Sequence, residues 1–245
     1  MNLTIPEFIP YLLAVLGLLF IWQLHDIQVK AGRIKAAGIL NRSGLRFFVH
    51  VTPDDASTCP SCRDAHGKVF LPAAITAKRF SALASPCTNP DSCRCILVGL
   101  YGAWNEALRL LKRLGQSTGT LHLSAAELDG LIDGATARPA GVGMDRLSVA
   151  MLEAVRADPG NPDLAIERYR RIIETAKQER DMPFVLPAYF RLCDLLEKQN
   201  RTGEALEFVE KFSRAYGQRQ GSHAATEAQL ASMSLRKTRL SAAVR

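Results

Sequence analysis

The sequence predicts a mainly α-helical protein with a small α+β module built around a cluster of cysteines. Three patterns predict this class. An uncharged apolar run lies near the start of the chain, and five of the six cysteines fall between residues 59 and 95. From residue 145 onward, apolar side chains recur at helical spacing. Since 47% of the residues are hydrophobic, the chain can bury a core, and six cysteines are too few for a disulfide scaffold.

These patterns divide the chain into seven segments. They are an N-terminal flank (1–7), a transmembrane helix (8–24), a basic juxtamembrane segment (25–45), a cysteine module with its following helix (46–115), a linker (116–143), a helical-repeat domain (144–217) and a basic flexible tail (218–245). The formal charge of +7 comes from the two ends of the chain, and residues 51–210 are nearly neutral. This distribution disfavours a nucleic-acid-binding core domain.

The apolar run covers residues 8–24 and contains no charged side chain. As a helix it would extend about 25 Å, which is the short end of the range for a transmembrane helix. Tyr11 and Trp22 lie near its ends, where aromatic rings suit the membrane interface. No basic residue precedes the run and no small-residue cleavage site follows it, so we expect a retained anchor rather than a cleaved signal peptide. The alternative is a helix buried in a globular domain.

The distribution of Lys and Arg predicts the orientation of this anchor. Five basic residues lie between positions 25 and 46, and none precedes the run. The positive-inside rule therefore places the C-terminal domains in the cytoplasm, in a single-pass protein of the bacterial inner membrane. Residues 32–45 are expected either to continue as a partly amphipathic helix that is attracted to anionic lipid or to serve only as a stop-transfer flank. In a reducing cytoplasm, clustered thiols bind metal or stay free rather than form stable disulfides.

The cysteine cluster has the spacing of a metal site. Cys59 and Cys62 are two residues apart, as in a zinc knuckle, and three more cysteines follow: Cys87, Cys93 and Cys95. Because a closed structural zinc site needs four ligands, we expect four of these five thiols to bind one Zn²⁺. His50 and His66 are candidate substitutes, although both are more typical of strand or surface positions.

The cysteine motif resembles the end of the phage Mu F-like head-morphogenesis proteins, in which CxxC and a glycine precede HPxCRC. The positions that match here are Cys59, Cys62, Gly67, Pro90, Cys93 and Cys95. Asn89 stands where the family has histidine, and one extra residue precedes Cys93; Cys87 is expected to replace the lost ligand. The resemblance covers about 40 residues and implies a zinc-binding fold. It does not imply phage assembly, because nothing upstream resembles a capsid-associated domain.

An all-thiolate zinc site has no open position for water, so it predicts a structural role and no enzymatic activity. One alternative is a thiol–disulfide oxidoreductase that uses Cys59 and Cys62, with an exposed, reactive Cys59 and no metal. A second alternative is a nucleic-acid-binding zinc protein at the membrane, which the near-neutral charge of residues 51–210 disfavours.

Short strands are predicted near 46–51, 68–71 and 96–100, and helices near 73–84, 101–115, 124–132, 145–157, 162–179, 184–199 and 202–216. Within the second of these helices, four side chains are expected in the core: Trp104, Leu108, Leu111 and Leu114. Ser124 and Glu127 have the spacing of a capping box.

Residues 188–212 resemble a tetratricopeptide repeat (TPR). The matching residues are Tyr189, Leu192, Cys193 and Ala205, with Asn200 in place of the turn glycine. Residues 163–172 echo residues 203–212 at an offset of 40. The resemblance implies a small helical array that binds a cytoplasmic protein or peptide in its groove; a four-helix bundle without a ligand is the alternative.

Basic side chains on the helical half provide candidates for contact with partners. On the repeat domain the polar-face candidates are Arg168, Arg171, Arg191 and Lys198, and in the tail Arg236, Lys237 and Arg239 are candidates for contact with anionic lipid or nucleic acid. The partner-binding residues themselves are not specified by the pattern. The sequence as a whole predicts a membrane-anchored, non-enzymatic adaptor with a structural zinc module.

Overall fold

The computed structural model describes residues 15–25, 27–28, 44–53, 55, 58–75, 82–83, 87–88, 94–117, 119–138, 144–176, 182–217, 225 and 227–244. The protein is mainly helical with a small antiparallel sheet and a cysteine cluster, as predicted. In chain order the described elements are α1 (residues 15–25), β1 (Leu45–Val51), α2 (Pro60–Ala65), β2 (Lys68–Phe70), α3 (Pro72–Ile75), β3 (Ile96–Tyr101), α4 (Asn105–Gln116), β4 (Thr120–His122), α5 (Ala125–Thr136), α6 (Met144–Ala157), α7 (Pro162–Thr175), α8 (Met182–Lys198), α9 (Thr202–Tyr216) and α10 (Glu227–Val244).

The sheet is antiparallel throughout and has the strand order β3-β1-β2-β4. Alternate residues of β1 are apolar, so Phe47, Val49 and Val51 all point into the core. Val49 lies opposite Val69 on β2 and Val98 on β3, and all three side chains are fully buried. Cross-strand contact between β-branched side chains therefore sets the register at the centre of the sheet.

Helices α4, α5 and α6 share one core with the sheet. On α4 the buried residues are Trp104, Ala107, Leu110 and Leu114, which form one helical face. Leu108 is 52% exposed, so its predicted place in the core is wrong. The helix begins at Asn105 rather than at residue 101, and the face that meets the sheet is the one that starts with Trp104.

Residues 116–143, predicted as a linker, contain two elements that belong to this core. Strand β4 pairs with β2, and α5 buries Leu128, Leu131 and Ile132. The capping box is confirmed: the Ser124 hydroxyl accepts a hydrogen bond from the Glu127 backbone N–H, and the Glu127 carboxylate accepts one from the Ser124 N–H. The structure differs from the prediction because this capped helix carries enough apolar residues at helical spacing to pack.

The helical half is built from consecutive helices that pack against each other: α6 on α7, α7 on α8 and α8 on α9. Helices α7 and α9 begin at Pro162 and Thr202, which reproduces the offset of 40 residues. Ala165 and Ala205 occupy equivalent places and are both fully buried. Helix α8 is the central helix, because its residues 184–196 are buried or half-buried on every side.

Asn200 ends α8 in the left-handed conformation, with φ of +59°, as its place in the predicted turn requires. The Asn200 N–H donates to the Glu197 carbonyl at 3.0 Å, and the Arg201 N–H donates to the Leu196 carbonyl at 2.9 Å. These two bonds form a Schellman motif that satisfies the last carbonyls of the helix.

This motif predicts different costs for two substitutions of Asn200. Alanine tolerates the left-handed region poorly, so Asn200→Ala is expected to lower the free energy of unfolding by about 1 kcal/mol. Glycine adopts this conformation freely, so Asn200→Gly is expected to change stability by only about 0.5 kcal/mol or less. Urea unfolding of both variants measures the difference, and equal costs for glycine and alanine would contradict the backbone explanation.

Residues 218–245 are predicted as a frayed helix or a flexible segment, and residues 227–244 form helix α10, which packs on α9. Met233 and Leu240 lie on one face of α10 and are buried. Arg236 pairs with Glu197 of α8 at 2.8 Å, between its Nε and a carboxylate oxygen. The helical alternative holds for these residues because two widely spaced apolar residues and a half-buried ion pair stabilise a helix whose overall hydrophobic pattern is weak.

The predicted transmembrane segment 8–24 lies only partly within the described residues. Residues 15–25 are helical and expose large apolar side chains around the whole helix, including Leu18 (67% exposed), Phe20 (62%) and Ile21 (63%). Among the helices that the structure describes, none combines the length and apolar character needed to cross a bilayer.

Candidate metal centre

The short helix α2 holds the first two cysteines of the cluster. Cys59 is the N-cap residue of α2, and Pro60 takes the first helical position, where proline is tolerated. Cys62 follows within the first turn, and its backbone N–H donates a hydrogen bond to Cys59 Sγ at 3.3 Å. The Cys-Pro-Ser-Cys spacing therefore brings both thiols to the same end of the helix.

Two further thiols approach this pair from the segments that precede β3. Cys87 Sγ lies 3.7 Å from Cys59 Sγ and 3.7 Å from Cys62 Sγ, and Cys95 Sγ lies 3.6 Å from Cys62 Sγ. The sulfur atoms of Cys59, Cys62 and Cys87 all lie within 4.8 Å of one another, so these three residues could hold a metal ion. Cys93, the fifth predicted ligand, lies outside the described residues.

These separations suit a tetrahedral thiolate site. With zinc–sulfur bonds of about 2.3 Å, neighbouring sulfur atoms of such a site lie about 3.8 Å apart. The distances of 3.7 Å from Cys87 Sγ to the sulfur atoms of Cys59 and Cys62 are close to that value. Cys95 Sγ comes within 3.6 Å of Cys62 Sγ without belonging to the group of three, and all four cysteines are free thiols. Cys59 is 7% exposed and Cys62 is 1% exposed, so the pair is shielded from solvent. Three close and largely buried thiols of this kind could hold a metal ion.

Hydrogen bonds favour the ionised form of Cys59. Burial opposes ionisation, but hydrogen bonds from the backbone and side chain of Cys62, the backbone of Thr88 and the side chain of Cys87 outweigh it. Together they lower the pKa of the Cys59 thiol to about 7. A thiolate is the form that binds zinc, and it is also the form that attacks a disulfide.

The two candidate substitute histidines lie outside the metal-ligating group that the described residues form. His66 Nδ1 accepts a hydrogen bond from the Thr52 backbone N–H at 3.1 Å. His50 is 2% exposed in β1, where burial first and then the positive charge of His66 lower its pKa to about 4. The positions of both histidines are therefore explained by local structure rather than by metal binding.

Acid is expected to destabilise the protein through His50. The unfolded chain binds a proton on this ring below about pH 6.5, whereas the folded chain does so only below about pH 4. The free energy of unfolding should therefore fall as the pH falls through this window, by up to about 3 kcal/mol. Urea unfolding at a series of pH values should show a shallower loss for His50→Gln than for the wild type. Equal pH dependence in the two proteins would contradict the assignment.

The loop before Cys59 is tied to the helical half by a buried ion pair. Asp55 pairs with Arg191 of α8, and Arg191 also pairs with Asp158 in the turn between α6 and α7. Tyr169 of α7 donates its hydroxyl hydrogen bond to Asp158 at 3.3 Å. Burial opposes the charge of Arg191, but hydrogen bonds and the charges of Asp158 and Asp55 raise the pKa of its guanidinium above the ordinary value. Arg191 is thus a stable cation, only 2% exposed.

The second cysteine segment is tied to the same helix. Arg94, which lies next to Cys95, pairs with Asp194 of α8. The Arg94 and Asp194 side chains are 10% and 9% exposed. Arg236 of α10 also pairs with Asp194, so this carboxylate joins the cysteine segment, the central helix and the last described helix.

The residues predicted for the polar face of the repeat domain differ in their exposure and in their ion pairs. Three of them are at least partly exposed and pair with acidic neighbours, namely Arg168, Arg171 and Lys198. Arg191 does not lie on an open face, because it is buried in the ion pairs with Asp55 and Asp158. Of the tail residues, Lys237 and Arg239 pair with Glu210 and Glu197.

The sequence gives little indication of the charges that join the two halves. Asp55 has the pattern of an ordinary turn residue, and the basic residue of Cys-Arg-Cys has no marked partner. One signal was present: Arg191 and Asp194 are the only charged residues between positions 184 and 196, in an otherwise apolar helix. Charges in such a run indicate buried pairs.

Comparison with known proteins adds no neighbour to these observations. The chain matches no family model, no curated protein and no solved structure.

Proposed function

We propose that this protein is a non-enzymatic adaptor, anchored in the inner membrane and facing the cytoplasm, in which a structural zinc centre holds the sheet against a TPR-like helical domain that binds a protein partner. The observation that carries the proposal is the cluster of Cys59, Cys62 and Cys87, with Cys95 as the fourth candidate ligand because its sulfur lies 3.6 Å from that of Cys62. Four thiolates fill the coordination sphere of Zn²⁺, so the metal would stabilise the fold rather than activate water.

The metal content of the full chain tests this proposal. The protein is purified in detergent under reducing conditions without added metal, and its thiols are counted before and after chelation. We expect about one zinc per chain and about four thiols that react only after the chelator removes the metal. A metal-free chain with all of its clustered thiols reactive would contradict the zinc centre.

Thiol–disulfide exchange is the second candidate function, because the pKa of Cys59 is lowered to about 7. Two observations support zinc over exchange. Cys59 and Cys62 are both buried, whereas an exchange site needs an accessible sulfur. Cys87 is also as close to each of them as a third metal ligand would be. Rapid alkylation of Cys59 at neutral pH in a metal-free chain would favour exchange.

The membrane anchor is supported by the uncharged run of residues 8–24 and by the apolar side chains that α1 exposes around its whole surface. A helix that is apolar on all sides needs either a protein core or lipid around it. The basic residues that follow the run support an orientation with the folded domains in the cytoplasm.

Charged substitutions in α1 should release the protein from membranes. Each arginine at the centre of a membrane helix costs about 3 kcal/mol, so the double variant Leu18→Arg/Ile21→Arg is expected to move into the soluble fraction on ultracentrifugation. Leu108→Arg is the matched control, because it adds the same charge at a position of α4 that is 52% exposed. This variant should stay with the membrane. Retention of the α1 variant in carbonate-washed membranes would contradict the anchor.

The repeat resemblance supports partner binding by the helical domain, and we propose a surface for that partner. Helix α8 is enclosed by α7, α9, α6 and β3, so it does not offer an open groove. We therefore propose that the partner binds the outer faces of α7 and α9. On α7, exposed charged residues such as Arg171 and Glu167 lie beside the buried apolar face of the helix.

A further inference from the structure

The two cysteine segments contact the central helix through charges of opposite sign. Asp55 lies four residues before Cys59, and Arg94 lies directly before Cys95. Asp55 pairs with Arg191, and Arg94 pairs with Asp194, so each segment brings one charge to α8. The residues that flank the thiols are thus the same residues that connect the sheet module to the helices.

On α8, this contact is made by two residues of opposite charge that lie on one face of the helix. Arg191 and Asp194 are three residues apart, and their charged atoms lie 3.8 Å from each other. Both side chains are less than one-tenth exposed, so neither can exchange its partner for water while the segments are docked. If Asp55 and Arg94 withdrew, each of the two buried charges would lose a partner, which is strongly destabilising for a charge that water cannot reach.

The contact extends to the last described helix. Asp194 also pairs with Arg236, and Arg236 pairs with Glu197 one turn further along α8. Burial opposes the charge of Arg236, but the nearby carboxylates of Asp194 and Glu197 raise the pKa of its guanidinium. A shift of Arg94 would therefore change the electrostatic surroundings of α10 as well as those of α8.

We infer that zinc binding is thermodynamically coupled to the docking of the cysteine segments on α8, with Arg94 and Asp194 as positioning residues for the metal ligands. The inference rests on the proposed zinc centre and adds a consequence to it. The metal holds the two segments together, the segments hold α8 and α10 in place, and by linkage the helices strengthen zinc binding in return. Loss of zinc would loosen helices that begin 87 and 132 positions after Cys95 in the sequence.

A double-mutant cycle with zinc affinity as its readout tests the coupling. The full chain in detergent competes with a chromophoric chelator for zinc, as wild type and as Arg94→Gln, Asp194→Asn and the double variant. Each single substitution is expected to weaken zinc binding about tenfold, within the usual range for coupled sites. The double variant should bind about as weakly as the weaker single variant, because both remove the same contact.

The double-mutant cycle has one control variant and defined results that would overturn the coupling. Arg171→Gln removes an exposed cation from α7 and should leave zinc affinity unchanged. Unaltered zinc affinity in Asp194→Asn, or fully additive losses in the double variant, would overturn the coupling. A wild-type chain that binds no zinc would overturn the zinc centre itself, and the coupling with it. These two failures are distinguished by the metal content of the wild type.

Hydrogen exchange on the wild type tests the same inference without any substitution. Backbone amides of α8 and α10 are compared in the zinc-bound chain and after chelation. We expect exchange in both helices to accelerate about tenfold or more on chelation, as for a region that opens locally when a ligand is lost. Acceleration confined to residues 58–70 would show that the metal acts only on its own segment and would overturn the coupling.

Discussion

Cys62→Ser is expected to abolish zinc binding and to remove most of the stability of the sheet module. Cys62 is the central thiol of the cluster, since its sulfur lies 3.7 Å from that of Cys87 and 3.6 Å from that of Cys95. A serine hydroxyl stays protonated at neutral pH and is a poor zinc ligand. Because a structural zinc contributes directly to folding, the free energy of unfolding should fall by about 4 kcal/mol or more. Metal analysis and urea unfolding of the full chain measure the two effects.

Cys193→Ser is the matched control for this substitution. Cys193 is fully buried in α8, and burial raises the pKa of its thiol to about 12, so it is a packing residue. Its replacement should cost about 1 to 3 kcal/mol for the buried hydroxyl while zinc stays at about one per chain. If both serine variants kept zinc and lost equal stability, the cluster would be ordinary core packing rather than a metal centre.

The parts of the site that the sequence could predict are the parts that depend on local geometry. The spacing of Cys59 and Cys62 places two thiols in one turn of a helix, and no distant residue is needed for that conclusion. The approach of Cys87 was expected from its place near the missing histidine of the resembled motif. The capping box on α5 and the left-handed Asn200 are local in the same sense.

The contacts between the two halves could not be predicted in this way. Asp55 and Arg191 are 136 positions apart, and although the apolar run around Arg191 indicates a buried pair, no short pattern identifies Asp55 as its partner. Their pairing depends on how β3 packs against α6 and α8, which no short pattern specifies. The exposed position of Leu108 has the same cause, because the face of α4 that is buried depends on the direction from which the sheet approaches.

This packing also changes how the domain organisation is understood. Separate zinc and repeat modules joined by residues 116–143 would tolerate the loss of contacts between them. In the structure, α5 and β4 of that segment belong to the same apolar core as the sheet and the helices. The charges at the cysteine segments then act inside a continuous fold, so damage to one of them is expected to affect both halves.

Arg191→Met is therefore expected to be among the most destabilising substitutions in the helical half. Arg191 pairs with Asp55 and Asp158, and the Asp158 side chain is only 1% exposed. Methionine has a similar volume but leaves the buried Asp158 carboxylate without its cation, whereas Asp55 keeps its pair with Lys198. An uncompensated buried charge costs about 3 to 5 kcal/mol. Urea unfolding of the full chain in detergent measures this loss, and hydrogen exchange should show it in α8 and in the turn after α6.

Two further variants separate the charge effect from lost packing. Arg171→Met removes an arginine whose side chain is 65% exposed and is expected to cost no more than about 0.5 kcal/mol. Adding Asp158→Asn to Arg191→Met removes the uncompensated charge while it keeps an acceptor for the Tyr169 hydroxyl, so this double variant should recover part of the stability. If the double variant were less stable than Arg191→Met alone, the cost would lie in packing, and the buried carboxylate would not be what makes Arg191 necessary.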